Sequence, residues 1–230
     1  MKSSIKSDVL EFYDEMQQTQ HHRYRSWEHC YQFFSANPTD IDLASLHLAF
    51  YLASWGMYRG SSFLLQKDYQ VHRPVVEEVM KPKYAPIRAI TLQSLKLDST
   101  NELSGMILDL VERIKESYSE YIRHDPDPIN ATDTLATKIL MGTLGCTPAY
   151  DSYFICGLKH QGLHYSALNK KNFSELLNYC YKHESEFTEV QEEISNYGIY
   201  YPVMKVIDMH FWVTGKKVVK AMKKLPLKHL

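Results

Sequence analysis

A carboxylate at the start of a predicted helix is the first candidate for chemistry in this sequence. Residues 137–154 run from an apolar helical segment, through a loop that contains glycine and proline, into Pro148-Ala149-Tyr150-Asp151 and the next helix. An aspartate at a helix N-terminus accepts hydrogen bonds from unpaired backbone N–H groups, and the helix dipole stabilises its negative charge. Local structure therefore holds Asp151 in place, whether it acts only as a helix cap or also as a catalytic group.

The same stretch resembles the later part of the helix-hairpin-helix DNA glycosylase core. In that superfamily the corresponding aspartate lies at a helix start and assists the expulsion of a damaged base. The resemblance implies this role for Asp151, and it implies a DNA substrate. It covers Thr137 to Phe154 only. The hairpin signature Leu-Pro-Gly-x-Gly is replaced by Pro-Ile-Asn-Ala-Thr at residues 128–132, and Lys138 lies inside the helix that follows.

A second candidate is the segment Trp55-Gly56-Met57-Tyr58-Arg59-Gly60-Ser61-Ser62, which places one arginine among apolar and small residues. Arginine keeps its charge, so a buried Arg59 needs a carboxylate partner, and Asp151 and Asp133 are the candidates. Arg59 either joins two helices in this way or binds a substrate. We predict that Asp151 faces a pocket whose aromatic side chains can stack a base flipped out of its helix. The other predicted pocket residues are Trp55, Tyr58, Arg59, Tyr153 and, on the preceding helix, Lys138.

Two shorter patterns concern other chemistry. Arg23-x5-His29 resembles the ribonuclease motif of HEPN domains, which are all-helical dimers whose arginine and histidine act on the RNA phosphate. The alternative interpretation is a polar helix face with an exposed His29. His160 and His164 have the i, i+4 spacing of paired metal ligands, but Gly162 lies between them and no third ligand adjoins them. The sequence predicts no metal site and no cofactor.

Lysines near the C-terminus are candidates for binding nucleic-acid phosphates. No acidic residue interrupts residues 216–228, and positions 216, 220 and 224 share one helical face. Release of counterions makes such a strip favourable for binding DNA or RNA. The alternative is a solvated helix whose charge is balanced by the acidic side chains of residues 184–193. The lysines assigned to the strip are Lys216, Lys217, Lys220 and Lys224.

These candidates need a scaffold, and the composition indicates an all-α one. Nine glycines and nine prolines leave little for nucleotide-binding glycine loops or for many tight β-turns. Apolar residues recur at helical spacing, and we expect one compact domain over residues 1–230 with about nine or ten helices. Residues 216–230 are predicted to form a basic helical tail. The segments predicted at the centre are Ile41–Tyr58, Asn101–Arg123 and Asp133–Leu158.

Charge, cysteine and hydropathy patterns narrow the class further. The 26 Lys and Arg residues against 27 Asp and Glu give a net charge of −1, so any binding to nucleic acid must be local. The four cysteines form no Cys-x-x-Cys pair, which indicates reduced thiols and a cytoplasmic protein. The first residues lack the apolar region of a secretory signal. The longest uncharged stretch, Leu43–Tyr58, is shorter than the ~20 residues of a membrane span.

Three functions remain open from the sequence: a helix-hairpin-helix glycosylase-like protein acting on DNA, a non-catalytic helical binding or assembly protein, and a HEPN-like ribonuclease. The first two carry similar weight. The surroundings of Asp151 discriminate between them, because a carboxylate that opens onto a cleft favours chemistry, whereas a closed pair with Arg59 favours a scaffold. The sequence specifies neither the partner nor the oligomeric state.

Overall fold

The computed structural model describes residues 4–121, 131–196 and 198–224. Within these ranges the chain forms α-helices and three short 3-10 helices and no strand, which confirms the predicted all-α class. The 3-10 helices lie at Phe63–Gln66, Tyr69–His72 and Pro82–Ile87. The α-helices of the described chain are α1 Ile5–Gln17, α2 Arg25–Ser35, α3 Ile41–Ser54, α4 Arg73–Val79, α5 Leu92–Leu97, α6 Glu102–Tyr121, α7 Asp133–Thr143, α8 Ser152–His160, α9 Lys170–Lys182, α10 Glu184–Ser195 and α11 Val203–Lys224.

Side-chain caps determine where several of these helices begin. Ser4, Asp40 and Thr132 each accept a hydrogen bond from the backbone N–H three residues ahead, at the starts of α1, α3 and α7. Such caps satisfy donors that the first turn of a helix leaves unpaired. Because Ser4 supplies the cap, α1 begins at Ile5.

One central helix ends earlier than predicted, and the predicted end of another is not tested. α3 ends at Ser54 rather than Tyr58, because Gly56 adopts a positive φ of 74° that a helix does not permit. The described part of α6 ends at Tyr121, and the predicted end at Arg123 lies outside the described residues, as do residues 128–130 of the segment compared with the hairpin signature.

The C-terminal helix continues into the predicted basic tail. α11 runs without a break through Gly215 to Lys224, so residues 216–224 of that tail are the last turns of α11. A Cβ atom on Gly215 would collide with the carbonyl oxygen of Tyr153, and one on Gly157 would collide with that of Phe211. Gly215 is therefore required for the close crossing of α8 over α11. The packing at this crossing outweighs the low helix propensity of glycine, which costs about 1 kcal/mol. Residues 225–230 lie outside the described chain.

The described hydrophobic residues form one continuous core, and α11 lies at its centre. All residues from 201 to 215 are buried, with α8 packed along one side of α11 and α1 packed against it as well. α7 is also deeply buried, whereas the outer face of α3 carries exposed apolar side chains. The centre of the fold is thus α11 with α7 and α8, a correction to the central place predicted for the segment Ile41–Tyr58.

Three of the four cysteines, Cys30, Cys146 and Cys180, are buried. All four cysteines, which include Cys30, Cys156 and Cys180, are free thiols. Burial raises the pKa of Cys146 to about 12, which keeps this thiol protonated and unreactive.

Among the helices of the described ranges, none has the length and apolar character needed to cross a membrane.

Candidate functional site

A cleft of about 500 Å³ lies where the end of α3 meets α7, α8 and α11. It brings together most of the side chains that the sequence grouped around Asp151, although they come from three separate segments of the chain. Arg23 and Trp212 also line it, and neither was assigned to the pocket from the sequence. The predicted residues that line the cleft are Trp55, Arg59, Lys138, Asp151 and Tyr153.

Asp151 is held by three donors at the start of α8. Its Oδ1 accepts the backbone N–H groups of Tyr153 at 3.1 Å and Phe154 at 3.0 Å, which makes it the N-cap of the helix. Its Oδ2 accepts a hydrogen bond from Lys138 Nζ at 2.9 Å. The Asp151 side chain is 16% exposed and that of Lys138 is 3% exposed. The carboxylate is therefore fixed at the cleft wall with part of its surface accessible.

Arg59 does not pair with either carboxylate proposed as its partner. Asp151 pairs with Lys138, and Asp133 pairs with Lys115. Arg59 is exposed to solvent, so it does not need the ion pair that a buried arginine would require. Its side chain folds back on Gly56, where a Cβ atom would lie 2.9 Å from Arg59 Nε. The positive φ of Gly56 and its lack of a side chain thus place this guanidinium at the cleft.

A second ion pair, between Lys205 and Asp208, lies behind the pair of Lys138 and Asp151. It was not predicted from the sequence. Lys205 Nζ donates to Asp208 Oδ2 at 3.0 Å, and Asp208 Oδ1 accepts the backbone N–H of Ala149 at 3.1 Å. Both side chains are almost completely buried. Burial lowers the pKa of Lys205 and raises that of Asp208, while their attraction opposes both shifts. The signal available in the sequence was a Lys-x-x-Asp spacing within an otherwise apolar helix.

Trp55 is the aromatic residue that connects these charged groups. Lys138 Nζ lies 5.1 Å from its ring centroid, Lys205 Nζ lies 5.4 Å away, and the guanidinium carbon of Arg23 lies 5.1 Å away. Its ring also stacks on Tyr24, and only 8% of the residue is exposed. Trp55 therefore acts mainly as a buried aromatic surface against which the three cations pack. Tyr153, which is half-buried, is the aromatic side chain more accessible to a ligand.

Tyr58 lies outside the cleft, contrary to the prediction. Its hydroxyl is 2.6 Å from His72 Nε2, and His72 Nδ1 is 2.5 Å from the hydroxyl of Tyr118. Because α3 ends at Ser54, the backbone turns at Gly56 and directs Tyr58 toward the 3-10 helix of His72. Burial lowers the pKa of His72 to about 3, so a neutral imidazole joins the two tyrosines.

The histidines of the other short motifs do not form a comparable cluster. His29 is exposed on α2, while Arg23 of the same motif donates to the carbonyl oxygen of Ser54 at 3.1 Å. His160 is the last residue of α8, and His164 lies in the loop that follows. In the part of the chain that the structure describes, no three His, Cys, Asp or Glu side chains are placed to hold a metal ion.

Two lysines of the predicted strip, Lys216 and Lys217, pair with acidic residues of α1. Lys216 Nζ lies 2.6 Å from Glu15 Oε2, and Lys217 Nζ lies 2.7 Å from both Asp8 Oδ1 and Glu11 Oε2. The described carboxylate partners of Lys216 and Lys217 thus lie on α1, whereas the sequence suggested residues 184–193. Lys220 is exposed in the groove between α1 and α11. The side chain of Lys224 lies outside the described part of the structure.

Comparison with known protein families, with curated proteins and with solved structures gives no match to this chain.

Proposed function

We propose that the cleft receives a nucleotide everted from DNA and that Asp151 assists cleavage of its N-glycosidic bond, as the resemblance to helix-hairpin-helix DNA glycosylases implies. The observation that carries this proposal is a fixed carboxylate in the wall of an open cleft, with an accessible tyrosine beside it and arginines at its edge. Asp151 does not close onto Arg59, which was the arrangement expected of a scaffold.

The chemistry requires a negative charge at a defined place. Hydrolysis breaks the bond between C1′ of the sugar and a base nitrogen, and the bonding electrons leave with the base. Water supplies the hydroxyl that adds to C1′ and the proton that the base takes up. Positive charge develops on the sugar in between, and a carboxylate already oriented by three donors can stabilise it without reorganising.

The size and lining of the cleft support a nucleotide ligand. Its volume of about 500 Å³ falls within the usual range for small-ligand sites, about 300–1,000 Å³. Tyr153 offers an aromatic face for the base, since enzymes that evert a base commonly stack it against such side chains. Lys216 lies over the ring of Trp212, a cleft residue, so the lysines of α11 begin beside the cleft. Among the lysines of the predicted strip, we assign Lys220 to the DNA-binding surface, because it is exposed while Lys216 and Lys217 pair with carboxylates of α1.

The test is base excision by wild-type protein and by Asp151→Asn on duplexes that carry a panel of damaged bases. Asparagine retains the N-cap, so the variant is assayed at a temperature where circular dichroism shows both proteins folded. Asp109→Asn, which removes an exposed carboxylate of α6, is the matched control. Excision by wild type and by the control, but not by the folded Asp151→Asn variant, supports the proposal. Wild-type protein that is inert on every lesion, or a variant whose activity follows only its folded fraction, overturns it.

A second candidate function is non-catalytic binding or assembly, and one observation favours it. Leu43, Leu46 and Phe50 are exposed at i, i+3, i+7 spacing on α3, which makes one apolar helix face available for a protein contact. Sedimentation of wild type and Phe50→Ser tests this function for self-assembly. A wild-type protein that is monomeric at every concentration would rule out self-assembly through this face.

A further inference from the structure

We propose that Arg23 and Arg59 form a phosphate-binding pair at the edge of the cleft, so that the ligand of the cleft is a phosphate-bearing nucleotide unit and not a free base or nucleoside. This inference rests on the proposed function only in that the cleft receives a nucleotide. It adds the chemical group by which that nucleotide is held, and it assigns a role to two arginines that have no carboxylate partner among the described residues.

The charges that face the cleft do not cancel. Lys138 and Asp151 form a neutral pair at 2.9 Å. Arg23 and Arg59 line the same cleft, and neither has a carboxylate within ion-pair distance among the described residues. The cleft therefore carries an excess of two positive charges, whereas the whole chain has a net charge of −1. A local excess of this kind selects an anionic ligand.

Both guanidinium groups lie beside the same three residues at the end of α3. Arg23 Nη1 donates to the carbonyl oxygen of Ser54 at 3.1 Å, and its guanidinium carbon lies 5.1 Å from the Trp55 ring centroid. Arg59 packs against Gly56, where the missing side chain makes room for it. Ser54, Trp55 and Gly56 are consecutive, so the two arginines approach one short segment from separate parts of the chain.

This placement has an electrostatic cost that an anion removes. Two cations beside one segment repel each other, and the ordering of two long side chains costs conformational entropy. A guanidinium has five N–H donors. On Arg23, the hydrogen bond to the carbonyl oxygen of Ser54 uses one of them. Phosphate oxygens accept such donors in pairs, and this fork geometry is the reason that arginine is favoured at phosphate sites. A phosphodiester beside the everted nucleotide satisfies both groups.

The test measures binding and not catalysis. The probe is a DNA duplex with one tetrahydrofuran abasic analogue, which cannot undergo excision, and its partner probe carries neutral methylphosphonates on the two phosphates that flank the analogue. Wild-type protein is expected to bind the charged probe about tenfold or more tightly than the neutral one, because hydrogen bonds to charged groups are lost. In Arg23→Gln/Arg59→Gln this preference is expected to disappear.

The controls separate this proposal from changes in the fold and from the proposed catalysis. Arg88→Gln removes another guanidinium that donates to a backbone carbonyl, that of Phe34, but lies outside the cleft, so it should keep the full preference. Arg23→Lys/Arg59→Lys keeps the charges without the paired donors and should bind between wild type and the glutamine variant. A wild-type protein that binds both probes equally or binds neither, or a glutamine variant that keeps the preference, overturns the phosphate pair. If wild-type protein prefers the charged probe but excises no base, the phosphate pair is supported and only the catalytic proposal is overturned. If it excises bases but shows no preference for the charged probe, the catalytic proposal is supported and the phosphate pair is overturned.

Discussion

Asp151 performs two structural tasks whose energies can be separated. It caps α8 through Oδ1 and neutralises the buried Lys138 through Oδ2. Asp151→Asn should keep the cap and lose the ion pair, which destabilises the fold by about 3 kcal/mol because Lys138 is left with an unpaired charge. Asp151→Ala should lose about 1 kcal/mol more, the value of the cap. Urea denaturation of the two variants measures both quantities.

The double variant Lys138→Met/Asp151→Asn provides the control for this interpretation. Removal of both charges leaves no buried cation, so most of the stability lost in Asp151→Asn should return. If the double variant is no more stable than Asp151→Asn, the loss does not come from the unpaired lysine.

His72 should make the stability of the fold depend on acidity. Its pKa is lowered by burial to about 3, whereas an unfolded histidine has a pKa of about 6.5. Between these values the unfolded chain binds a proton that the folded protein excludes, so the free energy of unfolding decreases as the pH falls. The decrease due to this residue is at most about 1.4 kcal/mol per pH unit and is absent above pH 6.5.

Urea denaturation of wild type and His72→Gln at several pH values between 4 and 7 checks this prediction. The variant should show a shallower decrease of stability toward low pH, by close to one proton. His160→Gln, a change of an exposed histidine at the end of α8, serves as the comparison and should retain the wild-type pH dependence. A His72→Gln curve parallel to that of wild type would contradict the assignment.

At the level of single residues, the sequence predicted the position of a side chain where that position depends on neighbouring residues in the chain. The cap position of Asp151 follows from a glycine and proline loop that precedes an apolar helix, and the structure places it there. The burial of the Lys205–Asp208 pair and the place of Arg23 in the cleft depend on which distant segments pack around them. The Lys-x-x-Asp spacing indicates the pair, but no local pattern shows which segments surround it. The prediction that Tyr58 lines the cleft was wrong because the backbone turns at Gly56 and directs the Tyr58 side chain toward His72.

At the level of secondary-structure elements, the crossing of α8 and α11 determines the geometry of the site. Gly157 and Gly215 allow the two backbones to touch, and Asp151 at the start of α8 is thereby brought beside the helix that carries Lys205 and Asp208. A glycine inside a predicted helix usually suggests a break. Here the sequence suggested an end before residue 216, and the close approach of a second backbone explains why the helix continues.

Alanine substitutions test this crossing. Gly157→Ala and Gly215→Ala should each destabilise the fold by about 1–3 kcal/mol or more, because the added methyl group meets a carbonyl oxygen that cannot move without separating the helices. Gly105→Ala in α6 is the matched control, since no atom lies within 4 Å of the added Cβ. It should stabilise the helix by about 0.5–1 kcal/mol. Thermal melts of the three variants give the comparison, and a Gly215→Ala variant as stable as wild type would refute the crossing.

At the level of the whole molecule, charge is distributed so that only part of the lysine-rich end of α11 is available. α1 lies along α11, and its carboxylates pair with Lys216 and Lys217. Asp8, which is completely buried, also accepts from His210 Nδ1 and Thr214 Oγ1 at 3.0 Å. The sequence showed the lysines but not these partners, because α1 and α11 are separated by almost the full length of the chain. A phosphate would have to compete with α1 for the paired lysines.

This competition gives different expectations for neighbouring lysines. Lys220→Gln should flatten the dependence of DNA affinity on salt, with a slope of log K against log salt smaller by about 0.9, the effect of one lost phosphate contact. Lys217→Gln should leave that slope unchanged and lower the free energy of unfolding by about 1 kcal/mol, a value reduced from that of a buried pair because Lys217 is partly exposed. DNA titrations at several salt concentrations, together with urea denaturation, measure both quantities on the same proteins. A flatter slope for Lys217→Gln with unchanged stability would show that this lysine exchanges α1 for phosphate, and equal slopes for Lys220→Gln and wild type would exclude Lys220 from the DNA-binding surface.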